Sequence, residues 1–398
     1  MNSNTKTMLT QPAGQAKAAE PKELRWQAHA GKVRAYSMVF ALIALWIIFT
    51  VVTDGIFLGA RNFSNLIRQT AVTGILSVGM VMVIITGQID LSVGSIVGLS
   101  GMAAVLVQVS LGWGLVPSLL TGIMVGLAIG ALQGWLAAYA RVPSFIVTLG
   151  GLLVWRGVAK GISGGNTYPI AVHSFKALGQ SYLSQTSGII LMVLAVAATI
   201  ALVFHRNKMR KRHGLEPWTM GLAIRILLPS ALIVGFVVAL NAYAGVPIPV
   251  LIFVTVALVG AFATQNTTFG RYLYAVGGNP EAAKFSGINL RGHVLATFCI
   301  LGALSGIAGI IYTARVGSAG PDAGTLLELD AIAACVIGGA SLMGGRGSVL
   351  GACLGALFMA SLDNGMSLKN VPDFTQDIVK GSILVVAVGL DVFGRRKD

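Results

Sequence analysis

From residue 37 onward, apolar stretches of about 17 to 25 residues alternate with short polar breaks, and each is long enough to cross a hydrocarbon layer of roughly 30 Å as a helix. The breaks divide the chain into about twelve predicted spans, near 37–57, 71–88, 93–110, 115–140, 144–161, 187–205, 223–243, 248–266, 294–313, 328–343, 347–365 and 377–393. This pattern predicts an all-α, polytopic transmembrane helical bundle over residues 37–393. Residues 1–36 are rich in Ala, Gln and Lys and hold no apolar core of signal-peptide length, so they read as a disordered, uncleaved tail. Residues 394–398 form a short C-terminal tail.

Composition agrees. With 55% hydrophobic residues, 11% charged residues and a mean hydropathy of +0.80 over 398 residues, the chain has too much apolar surface for one soluble core. The net charge of +14 is explained by topology, because basic residues are retained on the cytoplasmic side during insertion. With the N-terminus inside, most of the 28 Lys and Arg fall in the inner loops. These are the tail, Arg141, the run HRNKMRKRH at 205–213, Arg225, the 271–293 loop, Arg346 and the closing RRKD. An even number of spans then puts both termini in the cytoplasm. The basic run reads as a cytoplasmic anchor; no interleaved aromatics support binding of nucleic acid.

Glycines recur every four residues at Gly122, Gly126, Gly130 and Gly134, again at Gly347, Gly351 and Gly355, and at Gly94 and Gly98. Each set gives one helix a smooth face for close packing against a neighbour. Cys299, Cys335 and Cys353 fall in apolar runs without metal-ligand spacing, which leaves them a packing role.

Four breaks carry more chemistry than a plain turn. GQIDLSVGS, at 87–95, sets Asp90 and Ser92 between two apolar runs; either residue is expected to cap the following helix, and Asp90 is alternatively expected to line a polar path through the membrane. The loop 161–188 is long, polar and external, and so suited to meeting a soluble partner. In 321–351, Asp322, Glu328 and Asp330 gather on the outer side, Asp330 as a helix cap or all three as a docking surface, and GGRGS makes a tight inner turn around Arg346. The fourth break, RYLYAVGGNPEAAKFSGINLRGH at 271–293, specifies a short capped helix: Asn279 is a favoured N-cap, Pro280 suits the first turn, Glu281 complements the helix dipole, and Gly287 ends it. A helix of about seven residues is marginal alone. Ala282, Ala283 and Phe285 give it a small apolar face that something must hold.

GGNPEAAKFSGI resembles the EAA loop of ABC importer permeases. Together with GQIDLSVGS, VPSFIVTLGG, GISGGNT, ELDAIAACVIGGASLMGGRGSVLG and SLDNGMS, it makes residues from about 61 to 390 similar to the ribose/xylose-type sugar permeases. The additional basic loop and helix pair near 187–245 is similar to D-xylose importers within that group. The resemblance implies a transport subunit of the bacterial inner membrane with no catalytic or metal site. It implies a second permease copy, a periplasmic sugar-binding protein outside, and a separate ATPase carrying ATP and Mg. Asn279, Pro280, Glu281, Ala282, Ala283 and Gly287 would couple to that ATPase through the loop at 266–293. The chain has no GxxxxGK[ST] phosphate loop of its own. An ion-coupled secondary transporter is the rival reading; it would place several ionisable groups at mid-membrane.

Overall fold

The computed structural model describes residues 38–214, 218 and 221–395; the tail expected at 1–36 lies outside them. Fifteen helices account for most of the chain: α1 (Met38–Val52), then α2 (Ala60–Ile85), α3 (Val93–Leu111), α4 (Leu115–Ala138), α5 (Ser144–Ser163), α6 (His173–Gln180), α7 (Gln185–Arg212), α8 (Leu222–Asn241), α9 (Ile248–Asn266), α10 (Thr268–Gly278), α11 (Pro280–Phe285), α12 (Leu290–Val316), α13 (Leu327–Ile337), α14 (Val349–Leu368) and α15 (Asp373–Arg395). Among the described residues, nine helices are long and apolar enough to cross a membrane. The outward faces of α1, α4, α5, α7, α8 and α9 expose Ile, Leu, Val and Phe, as lipid-facing helices do.

α2 and α12 form the interior. α2 is buried along almost its whole length, and α12 packs against α2, α3 and α4. The expected glycine stripe of α4 meets its partner there: a Cβ on Gly126 would overlap the carbonyl of Gly302, and a Cβ on Gly302 would overlap the carbonyl of Gly126. Two backbones touching in this way gain dispersion contacts that lipid would otherwise supply. The stripe therefore packs within the chain. Gly351 and Gly355 of α14 receive the backbone of α13 in the same manner, and Gly94 and Gly98 of α3 receive residues 323–328.

Three elements differ most from the sequence pattern. α2 begins at Ala60, not near 71, because its polar first turns find internal partners: Asn62 and Asn364 exchange amide hydrogen bonds of 2.8 and 3.1 Å, and Arg68 donates to the Gly179 carbonyl and the Tyr182 hydroxyl. α7 continues through Arg212, so the basic run is a helix end, where cations complement the dipole. Trp218 closes this end between Arg210 and Arg225, whose guanidinium carbons lie 5.2 and 4.1 Å from its ring centroid.

The largest difference is the stretch expected as a span at 328–343. Its helix, α13, has 11 residues, about 16 Å, too short to cross alone. It stops where Gly338 meets the Gly351 carbonyl and Gly339 turns to a φ of +89°. Before it, residues 320–326 run non-helically along α3.

The loop expected to be external, 161–188, is ordered. Tyr168–Pro169 (β1) pairs antiparallel with Ser318–Ala319 (β2), and α6 buries Phe175 against the bundle. This cover sits at the Arg68 end of α2, while the opposite end, Ile85, accepts a 2.8 Å hydrogen bond from Gly345 N. Residues 318–345 thus run from one end of the bundle to the other as an irregular segment followed by a half-length helix.

Candidate functional site

The opening residues of the α10–α11 break are shaped by local hydrogen bonding. Asn279 adopts an extended backbone and its Oδ1 accepts the Ala282 N–H at 3.0 Å. Pro280 follows at the first helical position, where no amide hydrogen is needed. Ser286 closes the helix one residue earlier than predicted, and Gly287 then turns with φ +80°, which lets Ile288 N reach the Ala283 carbonyl at 3.1 Å. Ala283 is buried, Glu281 is exposed, and Phe285 is 91% exposed. The phenyl ring of Phe285 is thus held outward on a capped six-residue helix.

That helix is mounted on the bundle. The ring of His293 stacks on Phe269 at 5.8 Å, joining the start of α12 to α10. Tyr274 of α10 donates to the Gly347 carbonyl at 2.9 Å, and Gly277 abuts the carbonyl of Ile85. The sequence-predicted inner turn around Arg346 is therefore the seat of α10. α10, from which α11 follows directly, thus touches both the end of α2 and the loop that links α13 to α14.

Next to that seat, the α2–α3 turn holds Asp90 fully out of water. Its Oδ1 accepts from Ser92 N at 2.7 Å and from Ser92 Oγ at 2.6 Å. Neither residue caps α3 in the expected way. Ser92 is the N-cap by position, but its backbone is helical (φ −101°, ψ −6°) and its hydroxyl makes no bond to the first turn. It is drawn to Asp90 and to the Gln133 carboxamide, 3.0 Å away. One hydroxyl proton cannot serve both acceptors, and in this orientation of the amide Gln133 Nε2 has no partner. Turning the carboxamide over lets Nε2 donate to Ser92 Oγ and completes the chain Gln133–Ser92–Asp90.

The three acids expected on the outer side, Asp322, Glu328 and Asp330, do not share a surface. Asp322 alone is exposed, 2.9 Å from Lys160, whose hydrogen bond and charge hold its carboxyl below the usual carboxylate range. Glu328 is buried against Gly94. Asp330 lies inside the first turn of α13, where it caps nothing, and turns to Lys380 of α15, 3.4 Å away. Lys380 also meets Asp363 of α14 at 2.9 Å. Sequence reading missed this pairing. Its one signal is the lone cation within the apolar run 377–393, together with the aspartate of SLDNGMS. Among the described residues, no group of three or more His, Cys, Asp or Glu is arranged to hold a metal ion.

Comparison with known proteins covers nearly the whole chain. Residues 62–210 and 218–388 match the family described as branched-chain amino acid transport system / permease component. The chain is 48% identical over 367 residues to the xylose transport system permease protein of Escherichia coli strain K12, covering 92% of this chain and 93% of that one. It is 45% identical to the protein of the same name from Haemophilus influenzae, covering 92% and 98%. The ribose import permease protein of Escherichia coli strain K12 is 34% identical, covering 88% and 92%. No solved structure matches the chain.

Proposed function

We propose, for a chain that belongs to the family of branched-chain amino acid transport system / permease components, that it is the multi-pass inner-membrane permease of an ATP-driven importer of a monosaccharide, with D-xylose as the substrate. The carrying observation is end-to-end similarity to permeases named for xylose transport, at 48% identity against 34% for the ribose permease. Nothing in the family supports the ion-coupled secondary transporter.

Two copies of the chain form the pathway, a periplasmic binding protein delivers sugar, and a partner ATPase binds ATP and Mg. α11 docks on the ATPase through Asn279, Pro280, Glu281, Ala282, Ala283 and Gly287, with Phe285 as the apolar anchor. The mounting of α10 on Ile85 and Gly347 supports this route, because a rigid seat transmits a push that a free loop would absorb. The binding protein docks over α6 and the β1–β2 pair, with Asp322 at the rim. Both termini face the cytoplasm, and α13 with the segment before it makes one of twelve crossings. Asp90 holds the α2–α3 turn and does not line the sugar path, since its Oδ1 is already engaged by Ser92.

Expression with its ATPase and binding protein in a bacterium lacking xylose importers tests the reading. Restored uptake of labelled D-xylose supports it. Uptake of D-ribose alone would reassign the sugar, and no uptake of either would overturn the assignment.

A further inference from the structure

α7 and α8 form a hairpin whose buried residues all sit at one end. Of α7 only Gly188 is buried, and of α8 only Val237 and Leu240. Gly188 lies against Asn241, and Val237 and Leu240 pack in one cluster with Phe63, Leu183 and Leu251. This is the Arg68 end of the bundle, since Tyr182, next to Leu183, takes the Arg68 hydrogen bond. The rest of the pair turns Leu194, Leu202, Ile224, Leu227 and Leu232 outward, all exposed. Apolar faces of this kind, on helices long enough to cross a membrane, are surrounded by lipid.

The other end, where α7 stops and α8 starts, is basic. Arg206, Lys208, Arg210, Lys211 and Arg212 follow directly on the apolar run of α7, and Arg225 lies in the first turns of α8. Over 205–225 these cations are set against a single acid, Glu216. Arg206, Lys208, Lys211, Arg212 and Arg225 are exposed. Arg225 also stands near a helix N-terminus without an acidic first turn, where the dipole disfavours a cation and favours an anion. The tip is nonetheless ordered: Asn207 Oδ1 accepts the Trp218 N–H at 2.8 Å, which sets the indole between Arg210 and Arg225. An indole beside cations, one turn beyond the last apolar residues, marks the level of the lipid head groups. The anion available at that level is a lipid phosphate, whose oxygens suit the guanidinium fork.

We propose that the tip of the α7–α8 hairpin is a binding site for anionic phospholipid. The phosphates seat among Arg206, Lys208, Lys211, Arg212 and Arg225 beside Trp218, and the acyl chains run along the exposed apolar faces of the two helices. Bound lipid then fixes the end of the hairpin that buries nothing against the bundle. Clustered basic residues at a membrane surface favour anionic over zwitterionic lipid, because each adds to the attraction. The site is separate from the sugar path, and the proposal does not depend on which solute is carried.

The test uses the full-length permease in a cysteine-free background, with a fluorophore on Met209→Cys at the tip or on Thr186→Cys at the start of α7, both exposed positions. Each protein is reconstituted in phosphatidylcholine vesicles containing a small, equal fraction of brominated phosphatidylglycerol or brominated phosphatidylcholine, and quenching by the two is compared. At 209 phosphatidylglycerol is expected to quench about threefold more effectively. That excess should vanish in about 1 M salt, where charges are screened within about 3 Å, and should be missing at 186. It should also vanish when Arg206→Gln, Lys208→Gln, Lys211→Gln and Arg212→Gln are combined, a change that keeps both arginines around Trp218. Equal quenching by the two lipids at 209 would overturn the proposal. So would an equal excess at 209 and 186, or an excess that survives in the four-Gln variant, since either would place the preference elsewhere on the protein.

Discussion

The Ala282 N–H donates to Asn279 Oδ1 at 3.0 Å, so the residue that opens α11 also satisfies one of its free amide groups. A cap of this kind is worth about 1 kcal/mol, a large share of the stability of a six-residue helix. Asn279→Ala is expected to lower the amount of ATPase that co-purifies with the permease by about fivefold, roughly the equilibrium effect of 1 kcal/mol, and Asn279→Asp to retain it. Equal retention in both variants would remove the cap from the coupling account.

Gly287 tests the other end of the same helix. Nothing lies within 4 Å of where its Cβ would sit, so the effect of a substitution comes from backbone conformation alone. At φ +80° a β-branched residue costs about 1–2 kcal/mol. Gly287→Val should redirect the chain into α12 and cut ATPase co-purification more than Glu281→Ala does, at unchanged membrane abundance. First-turn charges contribute only about 0.3–1 kcal/mol.

Glycines of the bundle should divide by what faces them. Gly302→Leu forces a side chain into the α4 backbone and is expected to destabilise by 3 kcal/mol or more, the upper range of overpacking (~1–3 kcal/mol), since backbone cannot yield as side chains do. Gly235→Leu on α8, with nothing within 4 Å, should leave the thermal midpoint in detergent within a few degrees of the parent. Similar midpoints for the two variants would contradict the Gly126–Gly302 contact.

Asp90→Asn keeps an Oδ1 acceptor for Ser92, whereas Asp90→Ala strands the buried Ser92 N–H and hydroxyl at a cost of about 1–3 kcal/mol. Asn is therefore expected to transport nearly as the parent does, and Ala to lose folded protein. Poor transport by the Asn variant at normal abundance would mean that the charge itself is used.

Orientation is checked by single cysteines in a cysteine-free background. Phe285→Cys on α11 should react with an impermeant maleimide only in inverted vesicles, and Lys176→Cys on α6 only in intact spheroplasts. The reverse labelling would invert the topology.

How far the fold was legible follows from how local each signal is. α11 was readable almost to the residue, because cap, proline and terminating glycine act within one turn. α13 was not, since hydropathy runs unbroken through GGASLMGG while the helix ends at Ile337, for a reason held in the backbone of α14 at Gly351. The start of α2 looked like a loop because the partners of its polar residues, Asn364 for Asn62 and Gly179 for Arg68, lie more than 100 positions away. Neither reading of Asp330, as a cap or as part of a docking surface, points to its partner for the same reason: Lys380 comes 50 residues later. Gln133 beside Asp90 had no signal beyond a single amide in an apolar helix.

The most direct test of the central claim is uptake of labelled D-xylose into proteoliposomes holding this permease, its ATPase and the sugar-loaded binding protein. Accumulation that requires all three components together with ATP and Mg, and that continues after an ionophore collapses every ion gradient, is the predicted result. Accumulation driven by an ion gradient without the ATPase would contradict it.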